Sequence, residues 1–212
     1  MRIGIIGSGG VAKTLGGALA ARGHDVTLGT REPAKLAGWA AGAGAKAATN
    51  AEAAARGEVV LNATAGTGSV EALEAAGAAN LDGKVLVDLA NPLDFSKGMP
   101  PTMTIVNTDS LGERLQRTFP RALVVKTLNT VNVDVMTAPK DVAGGDHHLF
   151  LCGNDAAAKA RVTGWLKEWF GWEHVLDLGD ISAARGMEMY LPLWLRTMAA
   201  LGTPRFNVKI AR

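Results

Sequence analysis

A glycine-rich turn between a strand-like and a helix-like segment is the feature that most constrains the fold of this chain. The apolar run Arg2-Ile3-Gly4-Ile5-Ile6 has strand length, and the segment from Val11 to Arg22 carries Ala, Leu and Lys at helical spacing. Between them stands a G-x-G-x-x-A fingerprint, Gly7-Ser8-Gly9-Gly10-Val11-Ala12. Its first glycine permits a tight turn, its second lets the backbone approach a pyrophosphate, and its small last residue lets helix and strand pack closely. The turn therefore predicts a dinucleotide-binding unit with the phosphates at the N-terminus of the first helix.

The context of the fingerprint decides between this interpretation and an ordinary turn. Glycine is common in the chain, at 26 of 212 residues, so a chance match is the alternative. However, Gly23-His24 is typical of a helix end, and Asp25-Val26-Thr27-Leu28 is typical of a second strand. Strand, turn, helix and strand then follow in the order that a βαβ unit requires.

The residues after the second strand indicate which dinucleotide is bound. An acidic residue at this place binds the ribose of NAD, whereas an arginine accommodates the 2′-phosphate of NADP. The chain reads Gly29-Thr30-Arg31 here, and Lys35 lies one helical turn further on, so we predict NADP. Glu32 is the competing feature, because it could be the acidic residue displaced by one position. We expect it instead to cap the helix that begins at Pro33.

Composition and charge argue against several classes of protein. The chain suits one large domain or a domain with a small lobe, and no apolar stretch reaches about 18 residues, the length of a membrane-spanning helix. Its net charge of +2 comes from scattered residues, which argues against nucleic-acid binding. Glycines interrupt residues 1 to 21 too often for a signal peptide, so we expect a cytoplasmic protein. Cys152 is the single cysteine and lies in an apolar run, which predicts a buried, inert thiol.

Alternating strand-like and helix-like segments predict the fold class. The strands lack the polar alternation of a half-exposed sheet, which favours an α/β fold with a doubly wound parallel sheet covered on both faces. The alanine-rich stretch 34–56 is expected to be helical. The other predicted strands are 59–63, 85–89 and 123–127, and the other predicted helices are 69–79 and 110–118.

Three loops follow predicted strands and carry the candidate binding residues. In such sheets, ligand contacts come from loops at the carboxyl ends of the strands. These loops hold small and amide residues that can contact ribose, pyrophosphate and a carboxamide without adding charge, although the same residues also serve turns. The candidates are Thr64 and Ala65, then Asn91, and then Asn129 and Thr130.

A new series of predicted strands and helices begins after Gly144-Gly145. We therefore divide the chain into a Rossmann domain at 1–145 and a small α/β lobe at 146–212. The lobe is predicted to hold strands at 147–151 and 175–178, a helix at 155–170, and a last helix from about Ser182. The His147-His148 pair is expected to begin a strand rather than to bind a metal, because no third ligand lies nearby. The last helix carries a stripe of Met, Trp and Tyr that is either core or a flat wall for a planar ring, and Pro192 interrupts it.

No metal cluster, Ser/His/Asp arrangement or paired carboxylates stand out in the sequence. Hydride transfer does not require them, because the cofactor supplies the chemistry and the protein positions two rings. One alternative is a Lys and Asn pair, Lys126 and Asn129, of the kind that some hydroxyacid dehydrogenases use on one helical face. The flanking residues predict a strand instead, which would point the two side chains apart.

The ordered set of motifs resembles the F420-dependent NADP oxidoreductase family, which includes the reductase domain of the STEAP metalloreductases. The resemblance rests on residues 1–31, 59–64 and 126–130, on Gly153-Asn154-Asp155, and on Asp177-Leu178-Gly179-Asp180 before the last helix. It implies that NADPH binds in the Rossmann domain and that a deazaflavin or flavin meets the nicotinamide in a hydrophobic cleft closed by the lobe. Members that use the deazaflavin can have a histidine where Asn129 stands.

The resemblance also implies a role for each candidate residue. Residues Ser8, Gly9, Gly10, Val11 and Ala12 would line the pyrophosphate, and Thr30, Arg31 and Lys35 would line the 2′-phosphate. The nicotinamide would lie near Thr64, Ala65, Asn129 and Thr130.

We therefore expect an NADP(H)-dependent enzyme that exchanges a hydride with coenzyme F420 or a flavin-like acceptor. Two alternatives remain open at this stage. One is a reductase of a small carbonyl or imine with Lys126 or Asn129 as the polar partner, and the other is a non-catalytic NADPH sensor. The expected partner is a small-molecule electron donor or acceptor rather than a nucleic acid or a membrane, and the apolar last helix is compatible with a homodimer.

Overall fold

A computed structural model describes residues 1–212 as ten strands, ten α-helices and four short 3-10 turns. The strands are β1 (Arg2–Ile6), β2 (Asp25–Gly29), β3 (Lys46–Ala48), β4 (Val59–Asn62), β5 (Val85–Asp88), β6 (Leu93–Asp94), β7 (Thr102–Met103), β8 (Leu123–Thr127), β9 (His148–Gly153) and β10 (His174–Asp177). The helices are α1 (Gly10–Ala20), α2 (Pro33–Gly42), α3 (Asn50–Arg56), α4 (Ser69–Ala76), α5 (Ala78–Leu81), α6 (Leu111–Thr118), α7 (Val133–Thr137), α8 (Ala156–Phe170), α9 (Ala184–Met189) and α10 (Leu191–Leu201).

Eight strands form one sheet in the order β10-β9-β8-β5-β4-β1-β2-β3, and β6 pairs with β7 in a separate antiparallel hairpin. Neighbours from β3 to β8 are parallel, β9 runs antiparallel to β8, and β10 is parallel to β9. The chain builds β1, β2 and β3 outward in one direction and then returns to build β4, β5 and β8 in the other. This order confirms the predicted α/β Rossmann fold. It also places a topological switch point between β1 and β4, where such sheets bind ligands.

The central strands of the sheet are continuous apolar runs that are buried on both faces, whereas the edge strands β3 and β10 have no buried residue. All four residues of β4 are buried, and Ile3, Ile5 and Ile6 of β1 are at most 1% exposed. Helix α3 crosses one face so closely that a Cβ at Gly4 would lie 2.3 Å from the carbonyl oxygen of Ala53. Gly4 is therefore required for this close packing of helix on strand.

The expectation of helix throughout 34–56 is wrong, because β3 separates α2 from α3. Helix α2 ends before Gly44, whose φ is 68°. Residues 46–48 then pair with β2 as the edge strand of the sheet, where Lys46 Nζ lies 2.7 Å from Asp25 Oδ1. Helix α3 then begins with a capping box, in which the Thr49 side chain accepts from Glu52 N and the Glu52 carboxylate accepts from Thr49 N. Edge pairing and capping therefore outweigh the helix propensity of alanine.

Other boundaries differ from the predictions by small amounts. Strands β4 and β5 each end one residue before the predicted end, and the predicted helix 69–79 stops at Ala76 because Gly77 has a φ of 86°. The predicted last helix is divided into a 3-10 turn at Ile181–Ala183 followed by α9 and α10. Pro192 lies in the first turn of α10, where its missing N–H has no helical partner to lose, so it begins a helix rather than interrupting one.

Residues 146–212 continue the main sheet through β9 and β10. The proposed boundary between 145 and 146 stays a prediction. His147 is buried and its Nε2 lies 2.9 Å from the carbonyl oxygen of Pro139, while His148 begins β9. Cys152 is a buried free thiol, as predicted, and burial raises its pKa to about 12. None of the helices combines the length and the hydrophobicity needed to cross a lipid bilayer.

Candidate functional site

Two adjoining cavities open at the carboxyl edge of the sheet, beside the switch point. The first has a volume of about 380 Å³ and the second about 310 Å³, and they share the wall formed by Ala63, Thr64 and Ala65. The first cavity is also lined by Gly7, Ser8, Gly9, Gly29, Thr30, Arg31, Asn50, Gly68, Glu71, Ala72 and Ala75. The second is also lined by Val11, Gly66, Leu89, Ala90, Asn91, Leu93, Phe95, Asn129, Thr130, Val131, Asn132, Val133, Met136, Leu191 and Trp194.

The turn that begins the first cavity requires glycine at position 7. Gly7 has a φ of 129°, and a Cβ there would lie 2.6 Å from the carbonyl oxygen of Ala63. Its N–H donates to the Gly29 carbonyl at 3.0 Å, which ties the turn to the end of β2. The fingerprint glycine thus holds three strand ends together at one edge of the cavity.

The N-terminus of α1 is open to an anion. Gly9 is the N-cap, no side chain caps the helix, and its first turn contains no acidic residue. A Cβ at Gly9 or Gly10 would meet no protein atom within 4 Å, so protein packing does not explain glycine at these positions. Helix N-termini present unpaired N–H groups and a positive dipole end, and side-chain-free space in front of them fits a pyrophosphate.

The residues predicted to line the pyrophosphate, Ser8 to Ala12, do not all reach a cavity. Ser8 and Gly9 line the first cavity together with the turn residue Gly7, and Val11 lines the second. Gly10 lines neither cavity, and Ala12 is fully buried in the core, where its small side chain lets α1 approach the sheet.

The segment after β2 carries one cation without an acidic partner. Arg31 lines the first cavity and forms no salt bridge, and the Thr30 hydroxyl accepts a hydrogen bond from Glu32 N at 3.3 Å. The expectation that Glu32 caps α2 is wrong, since its side chain makes no capping hydrogen bond. Its carboxylate instead lies 2.6 Å from Lys35 Nζ in an exposed ion pair, and Lys35 lines neither cavity. Arg31 is therefore the side chain best placed to meet an anion here.

The second cavity brings together the loops that follow β4, β5 and β8. Asn129 Nδ2 donates to Asn91 Oδ1 at 2.9 Å and to the Met187 carbonyl at 3.2 Å, and Asn91 Nδ2 donates to the Asn129 carbonyl at 2.8 Å. Leu128 precedes this pair in the left-handed region, with a φ of 62°. The two amides thus join the β5 and β8 loops and fasten them to α9.

Three buried polar atoms in the wall of the second cavity have no hydrogen-bond partner: Asn129 Oδ1, Thr130 Oγ1 and Trp194 Nε1. A buried polar group without a partner costs about 1–3 kcal/mol, so such groups call for an explanation. An amide oxygen, a hydroxyl and an indole N–H on one mostly apolar wall fit a small planar group that both donates and accepts hydrogen bonds, such as the carboxamide of nicotinamide.

A buried ion network lies beneath the shared wall. Lys126 Nζ lies 2.8 Å from Asp88 Oδ2 and 2.9 Å from Glu188 Oε1, and it also donates to the Ala90 carbonyl. All three ionic side chains are at most 1% exposed. Burial by itself lowers the pKa of Lys126, but the two carboxylates outweigh burial and raise this pKa above its usual value.

Asn62 connects this network to the cavity wall. Its Nδ2 donates to Asp88 Oδ1 at 2.8 Å, and its Oδ1 accepts from the Thr64 hydroxyl at 2.7 Å. Ser69 Oγ lies within hydrogen-bond distance of both Asn62 and Thr64. The orientation of Thr64, which lines both cavities, is therefore fixed from the interior of the protein.

Sequence reasoning missed Asn62, Ser69, Asp88 and Glu188. One signal was present, because Asn62, Asp88 and Lys126 are polar residues at or near the ends of apolar strands, and they are register partners across β4, β5 and β8. Lys126 itself lines neither cavity, so it cannot serve with Asn129 as a substrate-contacting pair. This outcome agrees with the strand prediction for 123–127 and removes Lys126 as the polar partner of a carbonyl substrate.

Known proteins resemble this chain over its whole length. A family model described as NADP oxidoreductase, coenzyme F420-dependent, matches residues 2–92. The crystal structure of a candidate F420-dependent NADP reductase from Arthrobacter sp. FB24 is 57% identical and covers 100% of both chains, with a TM-score of 0.96.

More distant relatives share part of this likeness. Metalloreductase STEAP3 of Rattus norvegicus is 30% identical over 95% of this chain, which spans 39% of the length of that relative. A reductive aminase from Aspergillus terreus, solved in complex with NADPH and ethyl-5-oxohexanoate, is 20% identical over 95% of this chain and 62% of its own. Its TM-score is 0.68, and at this identity the likeness shows the fold alone.

Proposed function

Since the chain belongs to the F420-dependent NADP oxidoreductase family, we propose that it transfers a hydride between NADP(H) and a flavin-like ring. The phosphates of NADP(H) would lie in the first cavity, and its nicotinamide would meet the flavin-like ring in the second. Coenzyme F420 or a flavin is the proposed acceptor or donor. The observation that carries this proposal is the shared wall at Ala63, Thr64 and Ala65, which places a cavity that contains Arg31 and Gly9, the N-cap of α1, next to an uncharged one.

Different residues in the two cavities would bind the phosphates and the carboxamide of NADP(H). The N-terminus of α1 at Gly9 would hold the pyrophosphate, and Thr30 and Arg31 would hold the 2′-phosphate. Asn129 Oδ1 and Thr130 Oγ1, which lack partners, would receive the carboxamide. NADPH supplies the hydride when it is bound.

The rest of the second cavity excludes water and orients the rings. Leu191 and Trp194 of α10 and the apolar loop residues form its wall. Transfer between two rings requires close and aligned approach, at about 3–3.5 Å. No titratable side chain lines this cavity, so the proton that the acceptor ring takes up together with the hydride would come from solvent.

The proposal is tested by a spectroscopic screen of acceptors with NADPH under anaerobic conditions. Coenzyme F420, FMN, ferric chelate, and a small carbonyl and imine are each mixed with the protein, and NADPH oxidation is followed together with acceptor reduction. We expect stoichiometric reduction of the deazaflavin or the flavin, and negligible reduction of the carbonyl and the imine.

Gly9→Val is the matched control, because its side chain would enter open space and occupy the pyrophosphate position without touching the protein. We expect this variant to fold and to lose NADPH binding and turnover together. Tight NADPH binding by the native protein without turnover of any acceptor would contradict the proposal and favour the sensor. Turnover of the carbonyl or imine alone would contradict it in favour of the small-substrate reductase.

A further inference from the structure

Residues 203–210, here called the strap, follow α10 and lie against the start of β9. The strap has no regular secondary structure. Its Val208 carbonyl accepts a hydrogen bond from His148 N at 2.9 Å, and Asn207 Nδ2 donates to the His148 carbonyl at 2.9 Å. The strap is therefore bonded to both backbone polar groups of His148.

The strap also supports the wall of the second cavity. Phe206 stacks on Trp194, with ring centroids 5.3 Å apart and an angle of 21° between the ring planes. Trp194 lines the second cavity, and its indole N–H is one of the buried polar atoms without a partner there. The position of Trp194 thus depends on the strap remaining docked.

Two neighbouring imidazoles hold the strap through ring nitrogens that carry no proton. His147 Nε2 lies 2.9 Å from the Pro139 carbonyl, which can only accept, so Nε2 carries the proton and Nδ1 accepts from Asn207 Nδ2 at 2.8 Å. His148 Nδ1 accepts from Ile210 N at 3.2 Å. Both bonds require a neutral ring, because Nδ1 of an imidazolium is a donor.

The two histidines differ in their access to solvent. His147 is 2% exposed, and its ring packs edge-on against Trp172 with 5.2 Å between centroids. His148 is only half-buried. His148 is therefore the ring that exchanges protons readily with solvent.

The groups that face His148 disfavour a positive charge on its ring. The ring of His174 in β10 stacks on it, with centroids 5.3 Å apart. The other charged groups that act on it are two cations, Lys209 and Arg212, and one acid, Asp146. Burial and His174 lower the pKa of His148 from its usual value of 6.5, and Asp146, which is already paired with Lys209, opposes them only in part.

We propose that His148 is an acid-sensitive latch: when its ring is protonated the strap undocks from β9, and Trp194 loses the support of Phe206. Protonation would place an N–H group against the Ile210 N–H, so that the bond between them is replaced by repulsion. The docked strap is fully favoured above pH 6.5, where the ring is neutral in both states. Docking weakens as the pH falls below this value, because the undocked ring binds the proton more readily.

Hydrogen exchange measured by NMR tests this proposal without any turnover. The amides of His148 and Ile210 both lose a partner when the strap undocks, so their protection factors report docking once the intrinsic pH dependence is removed. We expect both factors to fall between pH 7.5 and pH 5.5, by at least about twofold and by no more than about tenfold. Tenfold is the limit for one group with a pKa of 6.5 that takes up its proton only when undocked. Amides of β1 should keep their protection, and the indole N–H resonance of Trp194 should shift over the same pH range.

His148→Asn is the decisive variant, because asparagine Oδ1 can replace Nδ1 as the acceptor but does not titrate. We expect its protection factors to be independent of pH. His174→Asn is the matched control, since it removes the other ring of the stacked pair and should retain the native pH dependence.

The proposal is overturned if protection in the native protein changes by less than about twofold, if His148→Asn keeps the native pH dependence, or if His174→Asn loses it. An NMR titration of the His148 ring in the native protein adds a check that requires no variant to fold. We expect the pKa of this ring to lie below 6.5, and a pKa at or above 6.5 would equally overturn the latch.

Discussion

Individual residues after β2 determine how the first cavity would bind an anion. Arg31 and Lys35 are both cations of the predicted 2′-phosphate site, yet their surroundings differ. Arg31 lines the cavity without an acidic partner, whereas Lys35 is paired with Glu32 and lies outside the lining. A ligand phosphate would have to compete with Glu32 for Lys35 but not for Arg31. The two residues therefore give a matched pair of substitutions.

We predict that Arg31→Ala raises the KM for NADPH by about 10- to 100-fold and leaves the KM for NADH unchanged. The reason is that hydrogen bonds to charged groups contribute about 1.5–3 kcal/mol, and only NADPH carries the 2′-phosphate. The measurement is steady-state kinetics with both cofactors and the acceptor identified by the screen.

Lys35→Ala is the control, and we expect a smaller rise in the KM for NADPH because its ion pair with Glu32 is exposed. Equal losses with NADPH and NADH in Arg31→Ala would mean that Arg31 supports the loop rather than the phosphate.

At the scale of elements, the buried ion network connects segments that are distant in the sequence. Lys126 of β8 meets Asp88 of β5 and Glu188 of α9, and the Glu188 carboxylate also accepts from Leu111 N and Gly112 N at the start of α6. Glu188 thus adds to the capping of α6, whose N-cap Ser110 accepts from Glu113 N through its own side chain. Since Met187 in the same helix accepts from Asn129, the network also positions the wall of the second cavity.

We predict that Lys126→Met lowers the free energy of unfolding by about 3–5 kcal/mol, because it leaves two carboxylates buried without their cation. The measurement is urea denaturation at neutral pH. Lys35→Met removes a lysine from an exposed ion pair of similar length and should cost less than about 1 kcal/mol. A loss of stability for Lys126→Met as small as that of Lys35→Met would show that the buried pair does not hold the elements together.

The same elements show what sequence reasoning reaches and what it does not. Both ends of strand β8 were predicted correctly, because a short, continuous apolar run between polar loops is compatible with few structures other than a buried strand. Strand β3 was missed because Lys46-Ala47-Ala48 has no strand propensity, and its conformation comes from pairing with β2.

In the site, the features that follow from the general topology of the fold could be predicted from the sequence, whereas specific tertiary contacts could not. The loops with Thr64, Asn91 and Asn129 could be predicted, since any Rossmann sheet gathers its carboxyl-end loops. The partners of Lys126 could not, because Asp88 lies 38 residues away and the order of strands in the sheet is what pairs them.

At the scale of the whole molecule, buried protonatable groups determine how stability changes with pH in alkaline solution. Burial raises the pKa of Cys152 from 9.0 to about 12, and the pKa values of Tyr190 and Lys126 are also raised, from 10.0 and 10.5. Each group keeps its proton in the folded state after the unfolded chain has lost it. The unfolded state is then favoured, so stability is complete below the unfolded pKa and falls as the pH rises toward the folded one. As the pH rises, Cys152 is the first of the three groups to lower the stability, because its pKa in the unfolded chain is the lowest.

We predict that the free energy of unfolding of the native protein falls by about 1 kcal/mol between pH 9 and pH 10, close to the limit of about 1.4 kcal/mol per pH unit for one proton. Cys152→Ala should remove most of this slope in that interval, although the steeper loss above pH 10.5 from Lys126 and Tyr190 remains. Urea denaturation at pH 8, 9, 10 and 11 measures both effects. Val124→Ala is the matched control, because Val124 is buried in the same core cluster as Cys152 but carries no titratable group. It should lower stability at every pH while retaining the native slope, and an unchanged slope in Cys152→Ala would contradict the assignment of the proton to this thiol.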